Sequence, residues 1–286
     1  MEQRIAVVTG ASSGIGAAFA RTLAGRGYRV LAVARRAERL VALRDVTSGA
    51  VVPLVVDLTR PGAADEVVAA AERLGPVDLL VANAGRGVVG PFQVHDPVDA
   101  TSMVQLNVVS TTQLVRGLLP GMVERRSGGV IVVSSVGGLA PAPWMAVYGA
   151  TKAYLASFAQ ALAEEVRGTG VRVTALCPGP TVTEFDVAAG LVDGGIASAP
   201  GALTPEQVAA DALAGWERSR TMVIPGLLFR ILSVIQRVLP RDIVTRMSGS
   251  ALRKAATSLT LPPDTSDAAT TAGPPAPDTP ISVTPS

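Results

Sequence analysis

Hydrophobic positions follow two rhythms along this chain. Predominantly apolar runs of five to seven residues recur at Ile5 to Thr9, Tyr28 to Ala34, Val51 to Val56, Val77 to Ala82, Val130 to Ser134 and Val171 to Leu176. Longer segments with helical spacing separate them, notably Ala17 to Arg26, Ala63 to Leu74, Ser102 to Arg125 and Tyr148 to Arg167. Runs that short, bounded by turn residues, read as strands buried on both faces. Their alternation with helices predicts an α/β protein built on a doubly wound parallel sheet in a single domain, with ligands at the carboxyl ends of the strands.

The pattern changes after Pro180. Residues Phe185 to Leu203 are rich in Gly, Ala and Asp and are expected to form a mobile loop over the site. Thr204-Pro205-Glu206 combines an N-cap with proline at the first helical position, so a helix should begin there. Residues 227 to 239 form an apolar helix with Arg230 and Arg237 seven apart on one face. Packing of that helix on the domain or on a second subunit is the preferred reading, and peripheral membrane contact through residues 227 to 239 is the alternative. From Thr257 the chain is Thr, Pro, Ser, Asp and Ala without periodicity, which predicts a disordered tail. The expected division is therefore a main domain over residues 1–220, a helical extension over 221–256 and a tail over 257–286.

Composition narrows the function classes. The chain is 48% hydrophobic and 17% charged with a net charge of +2, and its basic residues are scattered, so no stripe suits a nucleic acid. Its one cysteine, Cys177, and one histidine, His95, leave no disulfide and no Cys/His metal cluster to build. His95 itself reads as an ordinary surface histidine. The start Met1-Glu2-Gln3-Arg4 leads straight into a strand without the pattern of a secretory signal, and no apolar run approaches the ~20 residues of a membrane span, so a cytoplasmic location is expected.

The chemistry begins at the first strand-to-helix turn. Gly10, Gly14 and Gly16 between strand and helix let the backbone turn tightly and bring a pyrophosphate to the helix N-terminus, as in a Rossmann-type fold. Tyr148 and Lys152, four apart at the start of a helical pattern, share one face. An ammonium beside a phenol should lower the phenol's pKa from about 10 and make it a usable acid or base. The chain has only two lysines, Lys152 and Lys254, and uses arginine elsewhere, so a lysine at 152 marks a place where a compact ammonium is needed. Ser135, at a strand end thirteen residues before Tyr148, could hold a substrate oxygen, with Ser134 as its alternative.

Thr9-Gly-Ala-Ser-Ser-Gly-Ile-Gly16 resembles the T-G-x-x-x-G-x-G segment of the short-chain dehydrogenase/reductase family. Further elements of that family follow in order: Asp57, Asn83-Ala84-Gly85, Asn107, Ser135, Tyr148-x-x-x-Lys152 and Pro178-Gly179. The resemblance covers residues 5 to about 220. It implies a catalytic set of Asn107, Ser135, Tyr148 and Lys152, in which Tyr148 protonates a carbonyl oxygen and Asn107 holds a water linking Lys152 to solvent. It also implies a dinucleotide held by Gly10, Ser12, Ser13, Gly14, Ile15, Gly16, Asp57, Leu58, Asn83, Ala84, Gly85, Pro178, Gly179, Val182 and Thr183. Lys152 and Tyr148 would contact its nicotinamide ribose, and Asp57 its adenine.

The second strand ends without the acid that would bind a free ribose hydroxyl and continues into Arg35-Arg36, which can pair with a 2'-phosphate. NADP(H) is therefore the expected cofactor. A substrate wall of Val88, Val89, Phe92, Leu139, Trp144 and Met145 carries hardly any charge and suggests an apolar carbonyl or alcohol, ketoacyl-like or otherwise lipid-like. The family resemblance further implies a homodimer or homotetramer formed through the two long helices. A dinucleotide-binding sensor without turnover is the competing class, distinguished by having no need of Ser135, Tyr148 and Lys152 together.

Overall fold

The computed structural model describes residues 3–190 and 199–256, so the expected tail over 257–286 lies outside the described residues. Seven strands form one sheet: β1 (Ile5–Thr9), β2 (Arg29–Ala34), β3 (Val51–Val55), β4 (Val77–Ala82), β5 (Gly128–Val133), β6 (Val171–Leu176) and β7 (Met222–Val223). Their order is β3-β2-β1-β4-β5-β6-β7 and every pairing is parallel. The order reverses between β1 and β4, which opens a crevice beyond Thr9 and Ala82.

Strands that are apolar along most of their length are needed because both faces are covered, and Arg29 and Arg172 sit at exposed positions at or next to strand starts. Val7, Leu31, Val33, Leu80, Val130 and Val132 join one core, whereas Ala6, Val8, Ala32, Leu79, Val81 and Ile131 join the other, as the two-residue side-chain alternation of a strand requires. Helices α3 (Ala63–Glu72), α5 (Ser110–Glu124) and α6 (Ala146–Glu165) cover the first face. Helices α1 (Gly14–Gly25), α2 (Ala37–Val46) and α8 (Pro205–Glu217) cover the second.

Most expected elements are present, with four differences. Helix α2 and strand β7 were not anticipated: α2 buries only Leu40 and Leu43, and β7 is two residues long, so neither leaves a periodic signature. Strand β7 also carries the sheet just past the expected boundary at residue 220. The helix expected from Ser102 begins earlier, as α4 (Pro97–Val104), because Asp96 caps it by accepting from Val98 N at 2.8 Å. A π-helical turn over Gln105–Val109 joins α4 to α5 and contains Asn107. Within the expected loop, Phe185–Ala188 forms a short helix, α7, and residues 191–198 lie outside the described residues.

Helix α8 begins as expected at Thr204, whose Oγ1 accepts from Gln207 N while Gln207 Oε1 accepts from Thr204 N, a capping box with Pro205 at the first position. Helices α9 (Leu227–Val238) and α10 (Arg241–Ala256) follow. Phe229 and Ser233 of α9 turn inward, whereas Leu227, Leu228, Ile231, Leu232, Val234, Ile235 and Val238 are exposed. The expected packing of this helix on the domain is thus confined to a narrow strip. Among the described residues no helix is long and apolar enough to cross a membrane.

Candidate active site

The glycine turn sits at the mouth of the crevice. A Cβ on Gly16 would lie 2.3 Å from Gly10 O, so only glycine lets helix α1 start this close to the strand end. Ser13 stands at the N-cap of α1 without a side-chain cap bond, and the first turn holds no acidic residue. Free helix N–H groups in an uncrowded turn suit a pyrophosphate. The residues present therefore fit a dinucleotide.

Thr9 braces this turn against the neighbouring strand end. Its Oγ1 accepts from Asn83 N at 3.0 Å and Ala84 N at 2.9 Å, and Asn83 Nδ2 donates to Thr9 O at 2.9 Å. Asn83 and Ala84 thus hold the crevice walls together, leaving Gly85 exposed at its edge.

The two arginines expected to select the cofactor separate in space. Arg36 turns into the glycine turn, donating to Ser12 Oγ at 3.1 Å and Ser13 Oγ at 2.7 Å. Arg35 points outward, with Nη1 3.9 Å from Asp57 Oδ2 and its side chain 73% exposed. Asp57 Oδ1 accepts from Thr59 N at 2.9 Å and Thr59 Oγ1 at 2.7 Å. Burial works to raise the Asp57 pKa, but those two bonds and the charges of Arg35 and Arg60 hold it below the usual value. Leu58 beside it is buried.

Across the crevice, the segment after β6 reaches back over the glycine turn. Pro178 O accepts from Val136 N at 2.9 Å, and Val182 N donates to Leu203 O at 3.0 Å. The methyl of Thr183 lies over Gly14, 3.0 Å from where a Cβ would sit. Next to it, Glu184 accepts from Arg36 Nη1 at 2.8 Å and from Arg39 Nη1 at 2.9 Å. The Arg36 bond first, against some burial, and then Arg39 hold the Glu184 carboxyl below its ordinary pKa.

The residues expected to be catalytic converge at the other end of the crevice. Ser134 donates to Lys152 O at 2.6 Å and so anchors α6, leaving Ser135 as the serine that faces Tyr148. Ser135 Oγ accepts from Gly137 N at 3.0 Å. Lys152 is buried and donates to Val133 O at 2.8 Å, with Nζ 5.7 Å from the centre of the Tyr148 ring. Asn107 is buried beside Lys152, both of them next to Gly85. Its Oδ1 accepts from Arg86 N at 2.9 Å, and its Nδ2 donates to Arg86 O at 3.0 Å and Thr151 Oγ1 at 2.9 Å.

A family model described as short chain dehydrogenase matches residues 4–190. The chain belongs to the short chain dehydrogenase family. This short chain dehydrogenase is 41% identical over 192 residues to a short chain dehydrogenase of Pseudocercospora fijiensis, a match covering 65% of this chain and 62% of that one. It is 40% identical over 189 residues to an uncharacterized oxidoreductase of Myxococcus xanthus, covering 65% of this chain and 75% of the relative. Among solved structures, a short-chain dehydrogenase from Sphingobium yanoikuyae in complex with NADPH superposes with a TM-score of 0.73 at 31% identity, covering 93% of this chain and 99% of that one. A 7β-hydroxysteroid dehydrogenase superposes with a TM-score of 0.77 at 28% identity, covering 86% and 96%. The dehydrogenase is accordingly an oxidoreductase that works with a nicotinamide dinucleotide.

The electrostatics of the dehydrogenase correct one expectation. The Tyr148 pKa is not lowered but pushed up to about 12, because burial disfavours the phenolate more than the Ser135 hydrogen bond favours it. Burial pushes the Lys152 ammonium down to about 8, with Cys177 acting in the opposite direction. The lysine also spends a bond on Val133 O rather than on the phenol.

The expected substrate wall divides in the same way. Val89 and Met145 are buried with Ala189, and Phe185 packs with them against Tyr148, its ring 5.4 Å from the phenol ring. Leu139 instead packs with Ala156, Cys177, Ile224 and Phe229. Phe92 is 61% exposed and turns away, lining a groove with Val104, Val108, Val147 and Tyr154. Trp144 has φ +69° and lies under the Arg253 guanidinium at 5.8 Å. His95 is half-buried rather than at the surface, its Nε2 enclosed without a hydrogen-bond partner.

Sequence reasoning did not single out Arg39 or Glu184, and it placed Arg86 and Phe185 only within the segments expected to border the substrate, 86 to 96 and Phe185 to Leu203. Arg39 had a usable signal, since it follows Arg36 by three positions, one helical turn, on α2. The other three sit on loops or a four-residue helix, where no periodicity points them at the crevice.

Proposed function

We propose that this dehydrogenase uses NADPH to reduce an apolar, ketoacyl-like or otherwise lipid-like ketone to a secondary alcohol. The carrying observation is the apolar cluster of Val89, Met145, Phe185 and Ala189 that packs against Tyr148. The relatives support the same direction: a bulky-bulky ketone specific alcohol dehydrogenase from Comamonas testosteroni superposes with a TM-score of 0.68 at 28% identity over 83% of this chain.

The proposed roles follow from the geometry. Ser12, Ser13 and Arg36 take the 2'-phosphate, since the guanidinium already lies over both hydroxyls. The start of α1 takes the pyrophosphate, with Gly10, Gly14, Ile15 and Gly16 lining it. Asp57 and Leu58 meet the adenine, Asn83 to Gly85 the adenosine side, and Pro178, Gly179, Val182 and Thr183 the nicotinamide end. When bound, the reduced nicotinamide supplies the hydride that reaches the carbonyl carbon.

Ser135 donates to the carbonyl oxygen and positions it. Tyr148 then gives up its Oη proton to that oxygen, leaving a phenolate that the Lys152 ammonium stabilises. Burial keeps the Tyr148 phenol protonated at neutral pH, so the proton it would transfer is in place. Lys152 also bonds the nicotinamide ribose, and Asn107 places a water between Lys152 and solvent for reprotonation.

We also propose a homodimer or homotetramer paired through α6 and the helical run of α4, the π turn and α5, because Val104 and Val108 of that run and Tyr154 of α6 line an apolar groove along that face. The test of the reaction is NADPH oxidation against a graded panel of ketones and 3-ketoacyl thioesters, beside NADH and Tyr148→Phe. Preferential turnover of long apolar ketones with NADPH, lost in the variant, is expected. NADPH binding with turnover of none would favour a sensor.

A further inference from the structure

Helix α9 wears its apolar face on the outside. At 100° per residue, Leu227, Ile231, Val234 and Val238 form one row and Leu228, Leu232 and Ile235 the next, and all seven are exposed. On the opposite side, Phe229 and Ser233 are turned into the body. Helix α10 extends the surface with exposed Ile243 and Met247. A contiguous apolar face of this size on a folded domain marks a contact with something else.

Charge identifies the kind of partner. Residues 1–220 hold nineteen basic and nineteen acidic side chains, whereas residues 221–256 hold six basic residues against Asp242 alone. Among the basic residues, Arg230, Arg241, Arg246 and Arg253 are exposed. The cationic excess of the chain is thus confined to the two helices that carry the exposed apolar face. A second copy fits poorly, because an isologous pairing would bring two surfaces of the same sign together. An apolar arc flanked by arginines is instead what a helix lying in the interface of an anionic bilayer presents.

Placement gives the contact a consequence. Phe229 lies so close to Gly179 that a Cβ there would sit 2.6 Å from its ring, and Ser248 of α10 donates to Pro141 O at 2.9 Å. Arg253 covers Trp144. The helices that face outward therefore border the substrate end of the crevice.

We propose that α9 and α10 dock this protein onto an anionic lipid surface. Docking inserts the row Leu227, Ile231, Val234 and Val238 among the acyl chains and sets Arg230, Arg241 and Arg246 among the headgroups. The mouth of the apolar crevice then lies against the membrane. The contact stands on the surface alone and holds whichever substrate the site takes.

Flotation of the full chain with phosphatidylcholine vesicles, with or without phosphatidylglycerol, tests this. Binding is expected only to the anionic vesicles, weakening as salt is added. Ile231→Asp with Ile235→Asp should cut partitioning by at least about tenfold. Arg230→Gln, Arg241→Gln and Arg246→Gln together should cut it by roughly 100-fold, since each cation near the surface is worth about 1 kcal/mol. Val238→Asp gives a second apolar-face variant at the exposed end of the helix, and NADPH binding by each variant reports an intact fold. No flotation, or flotation unchanged by the aspartates, overturns the proposal. It is equally overturned if the aspartate variant dissociates a lipid-free dimer without any vesicle binding, which gives the face to a second copy. Vesicle binding that appears only after removal of residues 257–286 also overturns it, since the chain's own C-terminal segment would then be the occupant.

Discussion

Arg36 Nη1 donates to Glu184 Oε2 at 2.8 Å while the same guanidinium holds Ser12 and Ser13, so a carboxylate of the chain occupies the cation site beside the glycine turn. Arg39 grips the other oxygen of that carboxylate at 2.9 Å. On the proposed reading, an incoming 2'-phosphate would compete with Glu184 for these two guanidinium groups, whereas a cofactor with a free ribose hydroxyl would leave the pair intact.

Selectivity should therefore respond to both partners in opposite directions. Arg36→Ala is expected to raise KM for NADPH by about 10- to 100-fold, the worth of a charge-assisted contact, with little change for NADH. Glu184→Gln should lower KM for NADPH severalfold and leave NADH alone. Steady-state kinetics with both cofactors decides, and an equal effect on both cofactors in either variant would refute the assignment.

Tyr148→Phe keeps the ring against Phe185 and removes only the proton to be transferred. Loss of ~100- to 10,000-fold in kcat is expected, the range for general acid catalysis, with NADPH affinity preserved. Single-turnover kinetics beside a fluorescence titration separates chemistry from binding.

The adjacent serines should behave differently. Ser134 donates to Lys152 O inside the protein, so Ser134→Ala removes a buried hydrogen bond and should cost about 1 kcal/mol of stability, read by denaturant unfolding. Ser135→Ala gives up the cap bond from Gly137 N, but at a partly exposed position where water can replace it, so it should lower kcat by about 100-fold at a stability cost of no more than about 1 kcal/mol. Their order in the sequence could not separate them; the direction in which a strand end presents successive side chains does.

The sheet was readable because strands buried on both faces are apolar at nearly every position, as Ile5 to Val8 are, and an occasional exposed charge such as Arg172 near a strand start does not mask the run. Tyr148 and Lys152 were readable because a helix fixes the geometry of residues four apart. Glu184 and Phe185 were not, because the turn that brings them over the crevice is set by Thr181 and Val182 pairing with Leu203, a contact across 22 residues with no local pattern. The outward face of α9 was half readable: its amphipathic pattern was plain, but periodicity cannot say whether an apolar stripe points into the domain or away from it. Likewise, the spacing of Tyr148 and Lys152 predicted an ammonium near a phenol but not the burial that raises one pKa and lowers the other.

That burial makes Lys152 a stability liability with a defined pH signature. Its folded pKa is about 8 against an unfolded value near 10.4, so between those values the unfolded chain binds more protons than the folded one. The native state consequently carries the full cost of the buried ammonium below pH 8, and that cost is relieved as pH rises towards 10. Lys152→Met removes the charge and also the bond to Val133 O, so its net effect at pH 7 combines a gain with a loss of about 1–3 kcal/mol for the stranded carbonyl. The loss does not depend on pH, but the gain does. The stability of Lys152→Met relative to the parent should therefore fall as pH is raised from 7 to 9.5, even though the variant is inactive throughout. Denaturant unfolding of both proteins across that range measures the difference, and a flat difference would mean that Lys152 keeps its ordinary pKa in the folded protein.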